Sequence, residues 1–380
     1  MKALKKIAIA ALYILISSQT AFSQTSYADW LSKGKALQQE KKFRDALNAF
    51  RKAALLNKSS YDAPFYAAWC YNELGKYDSA ILQINKVILL KPDHANAYFE
   101  LGYAYKNKNQ LAEAEKQFKK TLQYNNSHSK AYKQLGKVFE LQLRQEEALA
   151  AYKKYYGLDP LNADACHSIG YLYNSQDKQE SALEWLQKAV AIKPAAVTYL
   201  EIGYAYYKLK KNEEAIAAYK NALELDPGNG TAFKGMGDVY RLNYKPAKLK
   251  EAIENYEKAI TGNPKLAGSY YGIGWCYNED KNYAKAITAL QKAVELDAGL
   301  VAAYTELGYA QYMTGSYPDA IRTLSKGIEK DSKNTHCHYY LGLTYVMQKD
   351  KVNAQKMYDK LVVLNPGLAE KLLPKITSLQ

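Results

Sequence analysis

The sequence predicts an all-α fold, a solenoid of stacked helical hairpins, and three observations predict it. Alanine recurs at Ala46, Ala80, Ala114, Ala148, Ala182, Ala215, Ala252, Ala286, Ala320 and Ala354, at intervals of 34 residues broken only by one of 33 and one of 37. Twelve residues before most of these stands a glycine: Gly34, Gly102, Gly136, Gly170, Gly203, Gly274, Gly308 and Gly342. Ala68 takes the glycine's place in the second unit, and Gly237 lies fifteen residues before Ala252 because of a local insertion. Apolar residues recur at spacings of three and four, which puts one stripe on each of two helices per unit. A unit of this size cannot bury its stripe alone, so neighbours must stack.

Taken from the N-terminus, residues 1–23 read as a secretory signal peptide. Lys2, Lys5 and Lys6 precede the apolar run Ile7 to Ile16, and Ala21-Phe22-Ser23 offers small residues for cleavage before Gln24. The run is too short for a comfortable transmembrane helix, and no other stretch is apolar enough to span. The chain is therefore expected to be exported, to the periplasm or cell envelope or beyond, with no integral membrane segment after cleavage. A short segment, 24–26, leads into ten units: 27–60, 61–94, 95–128, 129–162, 163–195, 196–229, 230–266, 267–300, 301–334 and 335–367. Pro92, Pro160, Pro194, Pro227, Pro264 and Pro366 fall between units, where a helix must stop. Unit seven carries three extra residues in the turn Leu242 to Lys250, either a neutral loop or a protruding contact site. Residues 368–380 read as a capping helix, with Leu372 and Leu373 covering the last unit and Pro374 a point of kinking or termination.

Within a unit the order is aromatic, Leu-Gly, Tyr, Ala, aromatic, Pro. The third unit shows Tyr98, Leu101-Gly102, Tyr105, Ala114 and Phe118; the sixth shows Tyr199, Ile202-Gly203, Tyr206, Ala215, Tyr219, Ala222 and Pro227. This resembles the tetratricopeptide repeat, over ten tandem units from Tyr27 to about Gly367, in a protein of exported bacterial type. The resemblance implies a right-handed superhelix of helix-turn-helix units that binds other proteins and has no catalytic or cofactor role.

In that family the first helix of each hairpin lines the concave face. Its groove-facing positions fall here on Phe65 and Trp69, Phe99 and Tyr103, then Lys133 and Lys137. Next come His167 and Tyr171, then Leu200, Tyr204 and Tyr207, then Lys234, Asp238 and Arg241. The last are Tyr271 and Trp275, Tyr309 and Tyr312, and Tyr339 and Leu343. About half of these rings are expected to be packing residues instead. The family's clamp for a C-terminal carboxylate is absent. Lys137 and Ser168 stand where Asn is needed, and Val197 and Glu201 where Lys and Arg are needed.

A longer period overlies the first. Units three, six and nine share Glu100-Leu101-Gly102-Tyr103, Glu201-Ile202-Gly203-Tyr204 and Glu306-Leu307-Gly308-Tyr309; units two and eight share Trp69-Cys70-Tyr71-Asn72-Glu73 and Trp275-Cys276-Tyr277-Asn278-Glu279. Units two to ten thus read as three blocks of three. Duplication alone accounts for this; a groove of repeating texture is the functional alternative.

Lys and Arg outnumber Asp and Glu by 52 to 38, a net charge of +14, or +11 without Lys2, Lys5 and Lys6. The charges are interspersed, so a solvated surface is expected and nucleic acid is not. Cys70, Cys166, Cys276 and Cys337 lie in units too far apart to pair and read as packing residues. His336-Cys337-His338 has the composition of a metal site, but spacing two on a helix points its histidines apart. Gly235-Met236-Gly237 and Gly272-Ile273-Gly274 look like phosphate-loop fragments, yet lie inside helices with no Lys-Ser/Thr after them. No catalytic constellation stands out, and neither a metal nor a cofactor is expected. The expected function is a scaffold holding an extended peptide or protein partner. The alternative is a cell-wall glycan stacked on the same aromatics, with Asn72, Glu73, Asn278 and Glu279 as its polar rim.

Overall fold

The computed structural model describes residues 26–379, so the signal-peptide reading lies outside the described residues. The chain is an all-α solenoid of helical hairpins, and it divides after Leu161 into two compact units. The first holds four hairpins: α1 (Tyr27–Gln39) with α2 (Phe43–Leu56), α3 (Asp62–Glu73) with α4 (Tyr77–Leu90), α5 (Ala95–Asn107) with α6 (Leu111–Tyr124), and α7 (Ser129–Leu141) with α8 (Gln145–Leu158). The second holds six: α9 (Ala163–Ser175) with α10 (Gln179–Ile192), α11 (Ala196–Lys208) with α12 (Asn212–Leu225), α13 (Gly230–Asp238) with α14 (Leu249–Gly262), α15 (Ala267–Glu279) with α16 (Tyr283–Leu296), α17 (Val301–Met313) with α18 (Tyr317–Lys330), and α19 (Thr335–Met347) with α20 (Lys351–Leu364). A final helix, α21 (Pro366–Thr377), closes the second unit.

The recurrent glycine is what lets the two helices of a hairpin close up. A methyl group placed at Gly102 would lie 2.8 Å from the Phe118 ring, at Gly203 2.6 Å from Tyr219, and at Gly308 2.4 Å from Leu324. All are far inside contact distance, so each glycine is the socket for one large side chain from its own second helix. The paired glycines of α13 and α15 have the same explanation. Tyr219 is seated between Gly203 and Gly235, and Tyr256 between Gly237 and Gly272. The recurrent alanines are fully buried, as are all four cysteines. Burial pushes the Cys70 and Cys276 thiols up to about 12, so neither is a nucleophile at neutral pH.

Within each unit of the chain, the first helices of successive hairpins touch, whereas the second helices make little contact with one another. The first helices therefore form the inner layer. Turns inside hairpins place one residue at positive φ. Gly75 and Gly315 do this without strain, but Leu143, at φ 60°, carries a side chain there. Helix starts are capped by local acceptors. Ser26 and Asp29 exchange bonds in a capping box, and His94 and His128 each accept a backbone N–H through Nδ1, from Ala97 and Ala131.

Two expectations need correction. The cap starts at Pro366, with Asn365 as its N-cap, because proline loses no hydrogen bond in a first turn. It runs through Pro374 to Thr377, and buries Ala369, Leu372 and Ile376; Leu373, a hundred degrees round the helix from Leu372, is exposed. The insertion in the seventh hairpin does not protrude. It winds the end of α13 into a π-turn, Val239–Asn243. Tyr244 then stacks on Tyr240 with ring centroids 5.7 Å apart and donates to Glu213. Asn243 donates to the carbonyl of Tyr207, which ties the loop to the preceding hairpin.

Candidate functional site

The inner face of hairpins five to seven holds a groove of about 580 Å³, lined by Tyr171, Asn174, Glu201, Tyr204, Tyr207, Lys234 and Asp238, among others. Helices α9, α11 and α13 supply them at successive turns of adjacent first helices. Of the positions expected to face a partner, seven line this groove: Tyr171, Tyr204, Tyr207 and Lys234, with His167, Leu200 and Asp238. Tyr171 and Tyr204 are exposed, 46% and 39%, which is far above the packed rings of the core. Lys234 is held by Asp238, with Nζ 2.6 Å from Oδ2.

The remaining expected residues are not gathered in this way. Phe65 and Phe99 lie against the imidazoles of His94 and His128, centroids 4.9 and 4.8 Å apart, so the capping histidines also seal these rings. Trp69 meets Phe43 edge-on at 5.6 Å and packs on the first hairpins' core. Tyr103 carries the Lys106 ammonium over its face at 5.0 Å. Lys133 is half-buried near Tyr155, and Lys137 is exposed. Tyr271 and Trp275 are covered by Arg241, Tyr309 packs between Tyr283 and Tyr340, Tyr312 against Tyr317, and Tyr339 into the core of the cap.

The pattern reading missed a pairing that recurs once per block. Asn72 donates both amide hydrogens to Glu100, one to Oε2 at 2.7 Å and one to its backbone carbonyl at 3.1 Å. Asn174 does the same to Glu201, at 2.9 and 3.0 Å, and Asn278 to Glu306, at 2.7 and 3.1 Å. Each pair clips the first helix of a block's first hairpin to the first helix of its second. In all three the asparagine Oδ1 is buried without a hydrogen-bond partner. Burial raises all three carboxyls, that of Glu100 to about 7, against the opposing pull of the amide donor. The signal was in the sequence: an Asn at the twelfth position of a unit, and a Glu 27 or 28 residues later, only where the blocks repeat. Asn72 and Asn278 therefore spend their donors inside the solenoid and offer none to a sugar rim.

Beside the third pair sits a second cluster, organised by the π-turn. Arg241, buried, donates through Nε to the Tyr256 hydroxyl at 2.9 Å, which itself donates to Asp238 Oδ1 at 2.6 Å. The guanidinium carbon lies 5.3 Å from the Tyr271 ring centroid and 5.2 Å from that of Trp275. The two histidines of the His336-Cys337-His338 run face different surroundings: His338 is buried with Nε2 on the carbonyl of Ser332, while His336 is exposed. Among the described residues no three His, Cys, Asp or Glu side chains are grouped to hold a metal, and no helix is long and apolar enough to cross a membrane.

Helical hairpins in tandem, with an inner layer of first helices and a glycine socket in most units, define a class: the α-solenoid repeat proteins. Profiles of the tetratricopeptide repeat match residues 70–109, 99–163, 163–195, 196–229, 241–300, 278–341 and 337–367. The chain belongs to the tetratricopeptide-repeat family. The first hairpin precedes the matched ranges yet has the same form. Among solved structures, one supports the fold and others are more distantly similar. The C-terminal part of a TPR repeat-containing protein from Cytophaga hutchinsonii is 20% identical, with a TM-score of 0.51 over 64% of this chain and 99% of that one. Yeast Tom70 is 15% identical, with a TM-score of 0.46 over 92% and 94%, and MamA 23% identical, with 0.39 over 42% and 94%. No curated protein matches the chain significantly in sequence.

Proposed function

We propose that this chain is a non-enzymatic scaffold that holds an extended segment of a partner protein along the inner face of hairpins five to seven. Binding other proteins is what tetratricopeptide repeats generally do, and the observation that supports this site is the groove with Tyr204 and Tyr207 in its wall. Half-exposed tyrosines on rigid helices supply contact area at low entropic cost, and a groove at their feet gives a side chain somewhere to go. The same reading places the protein in the periplasm or cell envelope, on the strength of Lys2, Lys5, Lys6 and the apolar run after them.

A photo-crosslinking residue at position 204 tests the site. Expected is one defined partner protein whose crosslinked peptide maps to a single extended segment, and whose capture is lost with Tyr204→Ala, Tyr207→Ala but kept with Leu89→Ser on the outer face. Capture that survives the double variant would overturn the groove, and retention on purified cell-wall polysaccharide instead of protein would favour a glycan. N-terminal sequencing of the native protein tests export, with Gln24 the expected first residue.

A further inference from the structure

We infer that the groove of hairpins five to seven is a cation site: it takes the guanidinium or ammonium of a basic segment in the partner protein, with Glu201 as its counter-ion. This rests on the groove reading above and names the partner's chemistry.

The charges around the groove decide the sign. Lys234 is spent on Asp238 at 2.6 Å, and Lys208 on Asp177 at 2.9 Å. Glu201 has no such partner. Among the described residues its Oε2 accepts only from Asn174, its other oxygen makes no hydrogen bond, and no cation lies within ion-pair distance. Of the acidic and basic side chains that line the groove, Lys234 and Asp238 pair and Glu201 is left over, so the lining carries one net negative charge, with the buried Arg241 lying behind Asp238. The hydrogen-bonding capacity points the same way. Asn174 gives both hydrogens to Glu201, which leaves its own buried Oδ1 without a donor. The Asn174 oxygen is buried and out of a ligand's reach, but the second carboxylate oxygen of Glu201 is unused among the described residues and suits a ligand group with N–H bonds and positive charge. Tyrosine faces beside it add cation–π attraction.

The chain already holds one guanidinium among aromatic faces near such a pair, although it pairs with Asp238 and leaves the Asn278–Glu306 clip as it is. One block later, Arg241 lies over Tyr271 and Trp275 with its Nη2 3.6 Å from Asp238, next to the Asn278–Glu306 pair. A guanidinium among aromatic faces and a carboxylate is thus a state this scaffold stabilises. In hairpins five to seven the rings and the pair are present, and the guanidinium is left for the partner to bring. Among the described residues, Glu100 and Glu306 repeat the carboxyl–amide pair. Glu73 acts on the first and Glu279 on the second, each making its own pair's surroundings more negative.

The test uses the mature chain at mildly alkaline pH and three acetylated, amidated glycine–serine peptides. One carries arginines, one carries citrulline in their place, and one carries glutamates. Citrulline keeps the shape and most donors but loses the charge. Expected is binding of the arginine peptide, weakened about tenfold or more in the citrulline peptide and in Glu201→Gln. Gln still accepts from Asn174, so the clip and the fold are kept, which an unchanged thermal melt checks. Equal binding of the arginine and citrulline peptides, or an unchanged affinity in Glu201→Gln, overturns the cation site. If the glutamate or citrulline peptide binds best and is lost with Tyr204→Ala, Tyr207→Ala, the groove stands and only its cation preference falls. Binding of the arginine peptide that ignores both variants overturns the cation site and the groove together.

Discussion

Hairpins five to six and hairpins eight to nine are built on one pattern and stand in different states. Both join two first helices by an asparagine clipped to a glutamate, Asn174 to Glu201 and Asn278 to Glu306. Both place tyrosines one turn beyond that glutamate. In the first, Tyr204 and Tyr207 wall an open groove; in the second, Tyr271 and Trp275 lie under Arg241 and Tyr309 is wedged between Tyr283 and Tyr340. For Tyr271 and Trp275 the difference comes from the preceding hairpin, where a π-turn aims Arg241 across the gap, and for Tyr309 from the rings of Tyr283 and Tyr340. Whether a repeated ring is packing or surface is thus decided by its neighbour's side chain and not by its own position in the unit.

The largest effect should separate the two rings. Trp275→Ala removes a half-buried indole packed with Tyr256 and Cys276, and is expected to destabilise by about 3 kcal/mol. Tyr204→Ala, in the open groove, should cost about 1 kcal/mol or less. Urea melts of both variants measure this, and equal losses would break the comparison.

Next in size is the pH dependence of the clip. A buried carboxyl whose folded pKa lies above its unfolded one holds its proton longer when folded. Stability is then greatest below the unfolded value of 4.5, and falls as pH rises towards the folded value, for Glu100 about 7. For Glu100 alone the fall is about 3 kcal/mol between those limits. Glu201 and Glu306 are raised by burial too, and act in the same direction. Melts of the wild type across that range should decline, and Glu100→Gln should flatten the curve. A stability that rises with pH in this window would show that the amide donor outweighs burial.

Arg241→Leu sharpens the comparison further. It removes the guanidinium from Tyr271 and Trp275 and leaves Asp238 with Lys234, so the expected cost is about 2 kcal/mol, read by thermal denaturation. The exposed faces of both rings should then quench more readily with added iodide or acrylamide. Trp275 quenching that stays at its wild-type value would mean that Arg241 is not its cover.

The repeat, its glycine socket and its buried cysteines were legible because close packing of two helices allows few residue types at the crossing. Gly203 against Tyr219 follows from that need alone. Packing of the aromatics was legible only in part. The order of residues places Phe65 and Phe99 on the first-helix face, but not the histidine at the next unit's N-cap that folds over each. Asn72 and Asn278 read as a polar rim because an asparagine beside a tryptophan looks the same whether it turns outward or to the next hairpin. The glutamate 28 residues on carries that information, and it appears only when two units are read together. The insertion in hairpin seven was visible as three residues, while its conversion into a π-turn depends on Asn243 and Tyr244 finding partners on the hairpin before.

The four sealed thiols couple folding to chemical survival. Cys70, Cys166, Cys276 and Cys337 sit in four different hairpins, each fully buried and each with its thiolate disfavoured by that burial. While the hairpins stay stacked, an oxidant meets no thiolate. Once one opens, a thiol returns to its ordinary acidity and can be modified or cross-linked before the helix closes again. In oxidising surroundings the lifetime of this protein would then be set by the rate at which its weakest cysteine-bearing hairpin opens, and brief local opening would leave a permanent chemical record.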